Sequence, residues 1–133
     1  MKKSIPVLLS CLVAGVSLVA IDASAATIRV QCEQRGVQRS KISVDGNDLA
    51  PLAPGQMYRA QVVSSGNVAT SNAAPLDRDE VEFDFDSNPA DVAAGATGIG
   101  TSFIVNGTVT GKILMPNGTT LIADTVACRV RSR

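Results

Sequence analysis

The chain has 133 residues with 12 basic and 12 acidic side chains, no histidine, no tryptophan, one tyrosine and three phenylalanines. Charge balance excludes the cationic footprint that phosphate contacts require, and the absence of histidine removes the usual general base, the usual zinc ligand and the standard nucleophile triads. Scarce aromatic rings also leave almost nothing for a sugar to stack on.

The first 25 residues have the three parts of a secretory signal peptide: a basic start Met1-Lys2-Lys3, an apolar run from Ile5 to Ile21, and a small-x-small site Ala23-Ser24-Ala25. Cleavage is expected after Ala25. Pro6, Ser10, Gly15 and Ser17 dilute the run and Asp22 closes it, which argues against a membrane anchor. Too little apolar sequence precedes Cys11 for it to be a lipidation site. Losing Lys2, Lys3 and Asp22 leaves 108 residues with 10 basic and 11 acidic side chains, a net charge of −1. That length supports one core and not two, so residues 26–133 are read as a single domain with no membrane span after cleavage. A leader this short and basic is of the bacterial kind, which places the protein in the periplasm or outside the cell.

Thr27-Ile28-Arg29-Val30-Gln31-Cys32 and Val126-Ala127-Cys128-Arg129-Val130 both read as strands. Alternation puts Ile28, Val30 and Cys32 on one face of the first, and Val126, Cys128 and Val130 on one face of the second. With Cys11 removed, the exported chain has two cysteines, and in an oxidising compartment Cys32 and Cys128 are expected to pair. Two buried thiols are the alternative. Closing so long a loop removes denatured-state entropy worth roughly 4 to 5 kcal/mol in the chain-entropy model.

Glu33 to Arg39 is a polar turn, and Ser40 to Asp45 alternates again with Ile42 and Val44 on one face. After Gly46-Asn47-Asp48 comes Leu52-Ala53-Pro54-Gly55-Gln56-Met57-Tyr58, which resembles the Leu-x-Pro-x-x-x-Tyr run of fibronectin type III and related immunoglobulin-like sandwiches. The resemblance covers seven residues and bears on fold alone. It implies a tyrosine corner, in which the Tyr58 hydroxyl bonds to upstream backbone. In those families the corner comes late, whereas here two clear strands precede it. Tyr58, Ala60 and Val62 then face inward, and Ser64-Ser65-Gly66-Asn67 turns the chain back through Val68 to Ser71 as a hairpin. Asp79 to Asp86 is the cleanest period-2 strand: Val81, Phe83 and Phe85 point in, and Glu80, Glu82, Asp84 and Asp86 point out.

Residues 87–102 form the one long connection. Asn88 as cap, Pro89 at the first helical position, Asp91 in the first turn and Gly95 past the end predict a short helix over 89–94, with loop from 96 to 102. Long connections are often functional, so this is the segment to search for a binding surface. Further on, Phe103-Ile104-Val105 turns at Asn106-Gly107 into Thr108-Val109-Thr110, and Lys112 to Met115 turns at Pro116-Asn117-Gly118 into Thr119 to Val130. Both Asn-Gly-Thr triplets are read as turns rather than glycosylation sites. Leu121 and Ala123 alternate out of phase with Val126, which predicts a bulge near Asp124.

Asp84, Asp86, Asn88 and Asp91 place oxygen ligands along one segment and open a calcium reading. The match to a calcium-binding loop is incomplete, because the position for Gly is Pro89 and that for Glu is Gly95. Strand-face solvation for Asp84 and Asp86, with capping by Asn88 and Asp91, accounts for the same residues. Asp77, Asp79, Glu80 and Glu82 are close enough in sequence to offer a hydrolase its carboxylate pair, but a domain this small offers little cleft. The sequence therefore predicts an all-β fold, an immunoglobulin-like Greek-key β-sandwich of about seven strands. It is expected to act without catalysis as a protein-binding or structural module of the cell envelope. An envelope or extracellular protein is the expected partner, and nucleic acid is not.

Overall fold

The computed structural model describes residues 26–131; the leader, its cleavage site and Cys11 lie outside the described residues. Among the described residues, nine strands and one short helix follow in the order β1 (Thr27–Arg35), β2 (Arg39–Asn47), β3 (Arg59–Ser64), β4 (Asn67–Thr70), β5 (Val81–Asp86), α1 (Pro89–Ala93), β6 (Thr97–Gly98), β7 (Thr108–Leu114), β8 (Thr120–Ala127) and β9 (Arg129–Arg131). They make a five-stranded sheet, β6-β5-β2-β1-β9, and a four-stranded sheet, β4-β3-β7-β8. The fold is all-β.

Alternation builds the core. Val30 faces Val44 across the β1–β2 ladder, and Val44 faces Phe83 across β2–β5. These side chains, with Ile42 and Phe85, meet Ala60, Val62, Val109 and Ile113 of the other sheet. The sheets come close at Gly111, where an added Cβ would lie 2.7 Å from Val30 Cγ2 and 3.1 Å from Val44 Cγ2. A larger residue there would force the sheets apart.

Tyr58 fastens the crossing between the sheets. Its ring is buried, and its hydroxyl donates to Ala50 O at 2.6 Å, eight residues upstream on the β2–β3 connection. Burial raises the phenol pKa, which keeps the hydroxyl protonated as a donor. The Asn106-Gly107 turn has φ of 58° and 68°, the left-handed pair of a two-residue hairpin turn.

Several expectations change. The last strand is not continuous to Val130: β8 ends at Ala127, the chain leaves the four-stranded sheet at Cys128, and β9 joins the other sheet parallel to β1. Cys128 N donates to Gly107 O at 2.8 Å, and the Cys32–Cys128 disulfide pulls the crossing toward β1. Val130 is consequently 71 % exposed and not a core residue. The bulge lies at Leu121, between the pairs Ile113–Ile122 and Leu114–Thr120, and not at Asp124. This shift turns Ile122 rather than Leu121 toward the core. Phe103 and Ile104 are buried but form no strand, so all three phenylalanines enter the core. Residues Thr97–Gly98, expected as loop, add β6 beside Phe85 and Asp86. Nine strands replace about seven because two of them, β6 and β9, have only two and three residues.

Candidate functional site: the outer face and edges of the five-stranded sheet

Side chains that point away from the core on the five-stranded sheet are mostly charged. β1 supplies Arg29, Gln31 and Glu33, β2 supplies Arg39, Lys41, Ser43 and Asp45, and β5 supplies Glu82, Asp84 and Asp86. The last of these departs from expectation. Asp86 has the outward parity read from the sequence, yet it is only 2 % exposed, because α1 and the segment after it fold back over that end of the sheet.

Arg39 offsets the cost of that burial. Its Nε donates to Asp86 Oδ1 at 3.0 Å and its Nη2 to Asp86 Oδ2 at 2.7 Å, a two-toothed pairing, while Nη2 also reaches Asp91 Oδ2 at 2.9 Å. Asn88 N donates to Asp86 Oδ1 at 2.9 Å. Burial alone would raise the Asp86 pKa. The hydrogen bonds from Arg39 and Asn88, together with the charges of Arg39 and Lys41, outweigh it and hold the carboxyl below its ordinary range. The same bonding raises the Arg39 pKa.

Around this pair, polar pins hold the segment to β2. Ser40 Oγ donates to Thr101 O at 2.7 Å, Ser40 N donates to Ser87 Oγ at 3.0 Å, and Ser87 N donates to Ser40 O at 3.0 Å. Asn88 Oδ1 accepts from Ala90 N at 2.9 Å as the helix cap, and Pro89 opens α1.

The four calcium candidates are therefore divided. Asp86 and Asp91 share a guanidinium, Asn88 caps α1, and Asp84 stands exposed on the strand. Among the described residues no group of three or more His, Cys, Asp or Glu side chains is placed to hold a metal ion. Asp77 and Glu80 exchange backbone hydrogen bonds at 2.8 and 3.1 Å in the tight turn before β5, and Asp77, Asp79, Glu80 and Glu82 are all exposed.

Two features were not read from the sequence. The first is Arg39 as the partner of Asp86, for which the available signal was an acid-rich strand in need of a cation. The second is a groove of about 400 Å³ along the open edge of β5, bounded by Glu82, Phe83 and Asp84 on the strand, by Ala73 and Ala74 after β4, and by Ala94 to Thr97. Asp45, one strand in from this edge on β2, lies directly opposite Glu82. Burial first, and then the charges of Glu82 and Asp84, raise its pKa above the ordinary carboxylate range. Glu82 and Asp84 make the open stretch of the β5 edge acidic, with Lys41 also lining the groove.

No protein-family model, curated protein or solved structure matches this chain. The functional reading rests on its own residues.

Proposed function

We propose that the chain is an exported, non-enzymatic protein-binding or structural module of the cell envelope, built on an immunoglobulin-like Greek-key plan. Strand order supports the plan: β1, β2 and β5 are neighbours in one sheet, β3, β4, β7 and β8 make the other, and the chain passes between sheets after β2, after β4, after β6 and after β8. The observation that carries the functional reading is the short finish of the five-stranded sheet. β6 covers only Phe85 and Asp86 of β5, and β9 covers only Glu33 to Arg35 of β1, so backbone donors and acceptors on β5 stay open beside a groove. Open edges accept partner strands through main-chain hydrogen bonds, with alternate side chains giving selectivity.

The test is crosslinking of the tagged, oxidised mature protein in its native envelope, followed by mass spectrometry of the captured species. Discrete protein adducts through residues of the β5 or β9 edge are expected. Absence of any protein adduct overturns the reading.

A further inference from the structure

Resting on the reading of sheet edges as protein-binding surfaces, we infer that the occupant of the β5 edge is β9 of a second copy of this chain, so that copies add head to tail in an open series. Three independent properties of the two edges fit each other.

The first is direction. β1 and β2 are antiparallel, β2 and β5 are antiparallel, and β1 and β9 are parallel, so β9 and β5 run the same way at opposite sides of one sheet. A second copy displaced along the sheet, without reversal, brings its β9 alongside β5 as a parallel neighbour. This is the direction in which β6 already pairs.

The second is backbone. In a strand the N–H and C=O of one residue point to the same side, and the side alternates along the chain. Ile99 N donates to Asp86 O and Ser87 N donates to Ser40 O, so even residues of β5 face the edge and odd residues bond β2. Thr97 opposite Phe85 and Gly98 opposite Asp86 use the Asp84 carbonyl and both groups of Asp86. Asp77 closes Glu80. What stays open is Glu82 and the Asp84 N–H, room for one parallel bridge centred on Phe83.

The same alternation applies at the far edge. Ser40 faces β5, so the odd residues of β2 bond Arg35, Glu33 and Gln31 of β1, and Gln34 turns to β9. Arg129 and Arg131 bracket Gln34 in the parallel register, which leaves the Val130 N–H and C=O pointing out of the sheet. Set beside Phe83 of another copy, Val130 donates to Glu82 O and accepts from the Asp84 N–H. Each open group finds its complement.

The third is side-chain chemistry. Arg129 and Arg131 share the outer face with Glu82 and Asp84, and this register places Arg129 beside Glu82 and Arg131 beside Asp84. Among the described residues, Arg129, Glu82 and Asp84 take part in no ion pair, while Arg131 meets Glu33. Val130 lies on the opposite face, 71 % exposed, and comes against Phe83, Ala73 and Ala74 in the groove. One edge is basic and the other acidic, so the contact is heterologous and does not close on itself as a two-fold dimer. Thr97 limits the ladder to three residues. So small a contact is weak, with association expected at on the order of 100 μM in dilute buffer.

Sedimentation velocity of the oxidised mature protein over a range of concentrations tests this. The average mass should rise through dimer and trimer without a plateau, with the association constant falling about tenfold or more between low salt and 0.5 M salt. Glu82→Lys with Asp84→Lys makes both edges basic, and Arg129→Glu with Arg131→Glu makes both acidic. Each double variant alone should be monomeric, and an equimolar mixture should associate. Val130→Pro removes an N–H that β1 does not use, so it should abolish association and leave the melting temperature unchanged. A monomer at every concentration, a species that stops at two copies, or association indifferent to the charge reversals overturns the inference. A monomer that still captures one foreign protein in the envelope overturns the self-association alone and leaves the binding reading standing.

Discussion

The five-stranded sheet is finished on both sides by a very short parallel strand, and the two are fastened by different means. On the β6 side the fastening is noncovalent: Arg39 joins Asp86 to Asp91, Ser40 and Ser87 tie residues 87–101 to β2, and Asn88 caps α1. On the β9 side it is a disulfide between Cys32 and Cys128 with one surface ion pair, Arg131 to Glu33. Proton activity governs the first and redox potential the second. The two edges should therefore fail under different conditions, and each can be perturbed with the other as its control.

The largest effect belongs to the covalent side. Reduction, or Cys32→Ala with Cys128→Ala, reopens a loop of 96 residues and should lower stability by about 3 to 5 kcal/mol, seen as a lower urea midpoint. Protection of Ser87 to Thr101 amides should fall only with the global loss. Next comes Arg39→Ala, which leaves the Asp86 carboxylate buried without its cation and should cost about 2 to 4 kcal/mol. Hydrogen exchange should quicken over residues 87–101 and not over β9.

Acidity separates the sides further. Asp86 has a folded pKa below its ordinary value, so its stabilising contribution is complete above the ordinary carboxylate range and is lost as pH falls toward the folded pKa. Melting temperatures measured between pH 6 and pH 2 should show an acid loss in the native chain that Arg39→Ala lacks. Asp45 has the opposite sign: its folded pKa is raised, so its ionised form opposes folding at neutral pH, and the penalty lifts as pH falls through the folded pKa. Tyr58→Phe, on the crossing between sheets and on neither edge, should cost about 1 kcal/mol irrespective of redox state. Asp45→Asn should have the smallest effect, a gain of about 0.5 kcal/mol at pH 7 from removing a like charge opposite Glu82.

Period-2 alternation made most strands legible, because Val30, Ile42, Val44, Val62, Val81, Phe83 and Phe85 each sit where a two-residue repeat puts them. Asn106-Gly107 and Pro116-Asn117-Gly118 marked their turns for a local reason, since left-handed backbone is needed there. What was not legible depends on contacts between distant segments. The burial of Asp86 follows from a connection folding back across the sheet, which no local pattern reports. The break at Cys128 comes from a disulfide and a bond to Gly107, so an apolar alternation through Val126, Cys128 and Val130 concealed a change of sheet. At the β5 edge, the acidic residues could be read, but the open Asp84 N–H depends on where β6 begins.

The disulfide also determines how the domain would bear tension. A pull applied at Ala26 and Arg131 is transmitted along β1 to Cys32, through the sulfurs, and out from Cys128, so the 95 residues between the cysteines are left off the path of force. Only about a dozen residues can be drawn straight, roughly 40 Å, against more than about 300 Å for the reduced chain. In its oxidised form the domain is a short link in which the chain between Cys32 and Cys128 cannot be drawn out by a load on its ends.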